Sequence, residues 1–138
     1  MIFLRTKTSG FFLLVIIFLV GCSSNIENPF KDETLTKIIV TEPEKKNSSK
    51  TLLNQKELDQ MKLYFEKVSW NNEKREMNED CDYIMQIISE KDKKQHTRSF
   101  NIWINKDQSI LLIDYEKQQI GNLSKKDAKD FKMLISKN

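Results

Sequence analysis

Arg98 to Asn105, RSFNIWIN, sets Phe100, Ile102 and Ile104 at every second position, with Ser99, Asn101 and Trp103 between them. Side chains that alternate with period two belong to an extended strand with one face in a core. This strand has neighbours of the same kind. Asp82 to Glu90, DYIMQIISE, is strand-like with apolar residues toward both faces, and a charged turn over 91–97 separates the two. Lys106-Asp107-Gln108 makes a short turn into Ser109 to Tyr115, SILLIDY, which is apolar on both faces from Ile110 to Ile113. A tight turn at Glu116-Lys117 leads to a short strand near Gln118 to Ile120. Strands joined by turns this short pair with antiparallel neighbours.

Two stretches change period. Leu58, Met61, Phe65 and Val68 recur at spacings of three and four, with Tyr64 beside them, so Gln55 to Val68 forms one helical face. Asn54 with Glu57 three residues later has the pattern of a capping box. Near the end of the chain, Ser124 with Asp127 marks a second helix start, where a carboxylate is favoured by the helix dipole. Ala128, Phe131, Leu134 and Ile135 form its buried stripe. Earlier, Lys37 to Glu42, KIIVTE, is β-branched and closed by Pro43, which predicts a first, edge strand. The stretch 44–51 reads as a polar loop, and 69–80 as a polar connection carrying Trp70. The order is therefore β-α-β-β-β-α. We expect an α+β two-layer sandwich, a mainly antiparallel sheet with two helices on one face.

Ahead of this domain the chain changes character. Arg5 and Lys7 give a basic start, and Phe11 to Val20 is an unbroken apolar run. A membrane-spanning helix needs about 20 apolar residues, so this run fits the core of a signal peptide instead. Leu19-Val20-Gly21-Cys22 follows directly. This resembles the lipobox of bacterial lipoproteins. The resemblance implies a diacylglyceryl group on the Cys22 sulfur and cleavage between Gly21 and Cys22 by signal peptidase II. Two acyl chains give durable attachment, at about 0.8 kcal/mol per buried CH₂. The expected organisation is a signal peptide over 1–21, a lipidated start and flexible tether over 22–36, and one domain over 37–138. The tether reads so because 23–36 is polar and without period, although Pro29-Phe30 is a candidate for docking on the domain.

Composition limits the chemistry. The chain carries +3. Arg5 and Lys7 leave with a signal peptide, which takes 23 basic side chains to 21 against 20 acidic ones. That balance does not suggest nucleic acid, which calls for a clustered basic face. Of the two cysteines Cys22 is taken by lipid, so Cys81 has no disulfide partner within the chain. With one His, His96, and one thiol, the zinc ligands of a metal site are missing. Asn78 to Asp82 is acidic but lacks the loop pattern of a calcium site. Glu79, Asp80 and Asp82 flank Cys81 and oppose a reactive thiolate. Three glycines leave no phosphate cradle. No cofactor is expected, and no enzymatic activity.

Phe100-Asn-Ile-Trp103-Ile, then Gly121-Asn-Leu123-Ser124-Lys125-Lys126-Asp127 and the helix ending in Leu134-Ile135, resemble the YhfM-like domain of Bacillus-type lipoproteins. The match is best over 98–136. It implies an envelope lipoprotein and assigns nothing catalytic. The Lys- and Asn-rich composition agrees with a Gram-positive source. The expected function is a non-enzymatic binding module on the extracytoplasmic face of the cell membrane. It is held there by the diacylglyceryl group on Cys22 and contacts an envelope protein. If both helices cover the Phe100 face, Trp103 is the candidate centre of an open binding face. Two alternatives are a small hydrolase using His96 with Thr97 or Ser99, and a structural spacer in which the Trp103 face is covered.

Overall fold

The structure is a computed structural model that describes residues 25–45 and 48–136. The expected signal peptide, with Gly21 and Cys22, lies outside the described residues. The strands are β1 (Asn25–Ile26), β2 (Thr34–Thr41), β3 (Ser49–Leu52), β4 (Ser69–Asn72), β5 (Tyr83–Lys91), β6 (Lys94–Ile104), β7 (Ile110–Asp114) and β8 (Gln119–Leu123). Helix α1 (Gln55–Lys67) lies between β3 and β4, and α2 (Lys125–Ser136) follows β8. All strands join one antiparallel sheet in the order β1-β4-β8-β7-β6-β5-β2-β3. The α+β class is as expected. The order is longer than expected, because β1, β3 and β4 came from stretches read as tether, loop and connection. The strand expected at an edge, β2, lies inside the sheet between β5 and β3.

The helices form where the period predicts. The Asn54 side chain accepts from the Lys56 N–H at 2.8 Å and caps α1. Leu58, Met61 and Phe65 are buried, and so are Ala128, Phe131 and Ile135 of α2. These side chains join Ile38, Val40, Met85, Ile87, Phe100, Ile102, Ile110 and Leu112 in one apolar cluster, so both helices share a core with one face of the sheet. Asp127 and Lys67 link the helices through an ion pair of 3.6 Å.

The expected tether is part of this core. Phe30 is fully buried, and its ring stacks on Phe65 at 4.7 Å and meets Phe100 at 6.0 Å. Trp70 of β4 closes the ring group, 6.2 Å from Phe65 and 5.6 Å from Phe100. The Trp70 indole N–H donates to the Phe65 carbonyl at 2.9 Å. Over the rings lies Arg98, its guanidinium 5.4 Å from Phe30 and 5.1 Å from Phe100. Arg98 Nε and Nη2 both donate to one carboxylate oxygen of Asp114, at 2.9 and 2.8 Å, and Nη2 also donates to Gln119. The other Asp114 oxygen accepts from the Lys117 N–H at 3.0 Å. The folded unit therefore takes in Ile26 and Phe30, within the stretch expected to be tether. Pro29-Phe30, the docking candidate of this stretch, supplies the contact, since one aromatic side chain buries enough area to hold a segment.

β4 sits beside β8 with Trp70 opposite Gly121. A Cβ on Gly121 would meet Val68 Cγ1 at 2.6 Å and Trp70 Cζ3 at 2.9 Å, so this position has room for no side chain. Gly121→Ala is expected to lower stability by about 1–3 kcal/mol through overpacking. Phe30→Ala is expected to lower it by about 3–5 kcal/mol. Urea unfolding measures both, and an unchanged midpoint for Phe30→Ala would return residues 25–33 to the status of a tether.

Candidate functional site

The sheet's second face is built by its topology. β4 and β5 are consecutive in the chain but lie on opposite sides of β8, β7 and β6. The connection 73–82 must cross those three strands. It begins with the Glu73 N–H on the Gln118 carbonyl at 3.1 Å and ends with the Asp82 N–H on the Ile102 carbonyl at 2.8 Å. An Asp82 carboxylate oxygen also accepts from the Ile104 N–H at 2.7 Å. Met77 and Cys81 of the crossing segment pack on Trp103, Leu111, Ile113 and Ile120 as a second apolar cluster.

Trp103 is therefore not the open face expected of it. It is 5% exposed, and its indole N–H donates to the Glu79 carbonyl at 3.0 Å. The alternation of β6 did place it opposite Phe100 and Ile102, as its separate cluster shows. A covered Trp103 face was one of the alternatives, but which segment covers it was illegible because β4 was not recognised as a strand. Without β4 in the sheet, nothing requires 73–82 to cross. The signal that could have found it is Trp70 followed by two asparagines, a β-former beside turn residues.

What stays open is a groove of about 550 Å³ at the margin of the crossing. Trp103, Tyr115 and Ile84 line it, with Glu44, Glu79 and Asp80 at the rim. Tyr115 stands edge-on to Trp103 at 6.4 Å and is half exposed. Beyond the groove, Ile39 and Ile88 share the face of β2 and β5 that carries Ile84 and are partly exposed. The surface is acidic around an aromatic and aliphatic floor. It can take a cation over the ring face and apolar groups beside it.

The other sequence candidates separate. His96 lies on β6 rather than on a turn, because β5 and β6 run on to a two-residue turn at Asp92 and Lys93. Neighbours at odd offsets along a strand point to opposite faces, so neither Thr97 nor Ser99 can reach the His96 ring. All three are exposed. The structure does not bring together the His96 and Thr97 or Ser99 pair of the hydrolase alternative. Among the described residues no group of three His, Cys, Asp or Glu side chains converges for a metal, and no helix is long and apolar enough to cross a membrane.

Cys81 is a free thiol, half-buried against the second cluster. Burial pushes its pKa up, and the charges of Asp82 and Asp80 add to the rise against backbone hydrogen bonds that lower it. The sequence reading named the acidic neighbours, while burial is the larger cause. A raised pKa means less thiolate at any pH below it. Cys81 is expected to alkylate more slowly with iodoacetamide than a free cysteine at pH 8, its rate still rising at pH values where the free thiol has levelled off. A rate equal to free cysteine would contradict its packing against the second cluster.

The fold has a solved counterpart. A thioesterase-like protein from Clostridium sporogenes superposes with a TM-score of 0.53 at 13% identity, over 75% of this chain and 96% of the other. At that identity the likeness speaks for a shared fold alone. No curated protein matches the sequence. The YhfM protein family matches over residues 31–138, a stretch that includes β2 through α2 and begins next to the buried Phe30. The chain is a member of the YhfM family.

Proposed function

We propose that this YhfM-family chain is a lipid-anchored, non-enzymatic binding module of the cell envelope, working on the extracytoplasmic face of the membrane. The observation that carries the binding role is the groove at the edge of Trp103. Its floor of Trp103, Tyr115 and Ile84 is rimmed by Glu44, Glu79 and Asp80. That chemistry fits a Lys- or Arg-bearing segment of an envelope protein, its cation over an aromatic ring and its alkyl stem on Ile84. Nucleic acid is a poor partner for an acidic rim.

The anchor is the diacylglyceryl group on Cys22, after cleavage at Gly21. The first strand begins at Asn25, three residues later. Three residues span at most about 10 Å, so the acylated domain rides close to the headgroups rather than on a long tether. A module held this way meets partners within the plane of the envelope, where tethering raises the effective concentration.

Two measurements test the reading separately. Cys22→Ala is expected to move the protein from the membrane to the soluble fraction, and undiminished membrane association would sink the anchor. Glu79→Lys with Asp80→Lys is expected to abolish retention of cationic envelope proteins in a pull-down while leaving thermal unfolding unchanged. Added salt should weaken wild-type retention in the same direction, because exposed charges are screened within about 8–10 Å. Retention that ignores both the charge reversal and the salt would contradict this groove as the binding face.

A further inference from the structure

A second cavity lies on the other face of the molecule, away from the acidic groove. The β6–β7 hairpin and α2 leave a space of about 320 Å³ between them, within the size range of small-molecule sites. Its floor is Ile104, Ile110 and Ala128. Ile104 and Ile110 are cross-strand partners, and Ala128 opposite them is the smallest buried side chain of α2. The space exists because the helix offers a methyl group where a larger side chain would meet the hairpin.

The rim is basic. Lys125, Lys129 and Lys132 line the same cavity. Spacings of four and three put them on one side of α2. Among the described residues none of the three ammonium groups makes an ion pair or a hydrogen bond, whereas Lys31, Lys45, Lys50 and Lys67 each meet a carboxylate. The acidic residue at the start of α2, Asp127, faces Lys67 instead. Asp107 in the hairpin turn feels the charge of Lys125, but its carboxylate already accepts from the Ser109 N–H at 2.9 Å and from the Ser109 hydroxyl at 2.5 Å. Three like charges therefore line an apolar floor, and the nearby Asp107 carboxylate is ion-paired with none of them.

We propose that this cavity binds a medium-chain fatty acid, its acyl chain on Ile104, Ile110 and Ala128 and its carboxylate among Lys125, Lys129 and Lys132. A simple inorganic anion would leave the apolar floor unused. A neutral alcohol would leave the lysines without a partner. The fatty acid satisfies both halves of the site. It uses no residue of the acidic groove, so the two sites stand or fall separately.

The test titrates decanoate, decanol and inorganic phosphate into the full chain, with backbone amides followed by NMR. Decanoate should shift Ile104, Ile110 and Ala128 selectively and bind at least tenfold more tightly than either of the others. Lys125→Gln, Lys129→Gln and Lys132→Gln together should remove that preference with no change in thermal unfolding, since all three side chains are exposed. Equal binding of decanol, equal binding of phosphate, shifts that map elsewhere, or a preference that survives the triple variant would each overturn the site. So would binding to anionic vesicles without binding to free decanoate, which would make the lysines a membrane contact.

Discussion

A guanidinium laid over two phenyl rings holds this fold together. Arg98 is mostly buried, and Asp114 is almost wholly so. A charge in that setting is tolerable only with a partner and a full set of hydrogen bonds. Asp114 supplies one oxygen to Arg98 and the other to the turn at Lys117. Gln119 accepts from Arg98 and donates in turn to Asn72 at 3.1 Å, which carries the network to β4. The planar guanidinium can stack on Phe30 and Phe100 while its edge serves the carboxylate, a combination that lysine cannot reproduce. Three strands and the segment carrying Phe30 thus meet at one side chain, and Gln119 links them to a fourth strand.

That arrangement explains why the start of the chain folds. The Asn28 side chain accepts from the Phe30 N–H at 3.0 Å, and the Lys31 N–H donates to the Asn28 carbonyl at 3.2 Å. This turn delivers Phe30 beneath Arg98. With residues 25–33 inside the domain, the anchor proposed at Cys22 becomes a short one. The sheet order does comparable work on the second face. Because β4 and β5 sit three strands apart, the segment between them has to cover Trp103, and the open surface is displaced to the groove beside it.

The sequence was readable wherever a period was sustained. Leu58, Met61 and Phe65 named the buried side of α1, and Phe100 against Trp103 named the two faces of β6. It was unreadable where tertiary contact replaced period. β3 offers one buried side chain, Leu52, and β4 offers only Trp70. The β5–β6 turn carried no Asn-Gly or Asp-Gly signal, because Asp92 and Lys93 both take positive φ without a glycine. His96 was consequently placed on a turn when it stands on a strand. The acidic groove and the basic cavity lay beyond pattern altogether, since each gathers residues from elements far apart in the chain.

A folded start, a covered Trp103 face, an acidic groove and a basic cavity are the features on which the proposed binding role rests. All of it depends on Phe30 being locked under Arg98. The most direct measurement is a double-mutant cycle of Phe30→Ala and Arg98→Met, read by urea unfolding. Side chains in direct contact should couple by about 0.5–3 kcal/mol. Losses that simply add would mean that the ring and the guanidinium do not touch, and that the chain ahead of β2 is free of the domain.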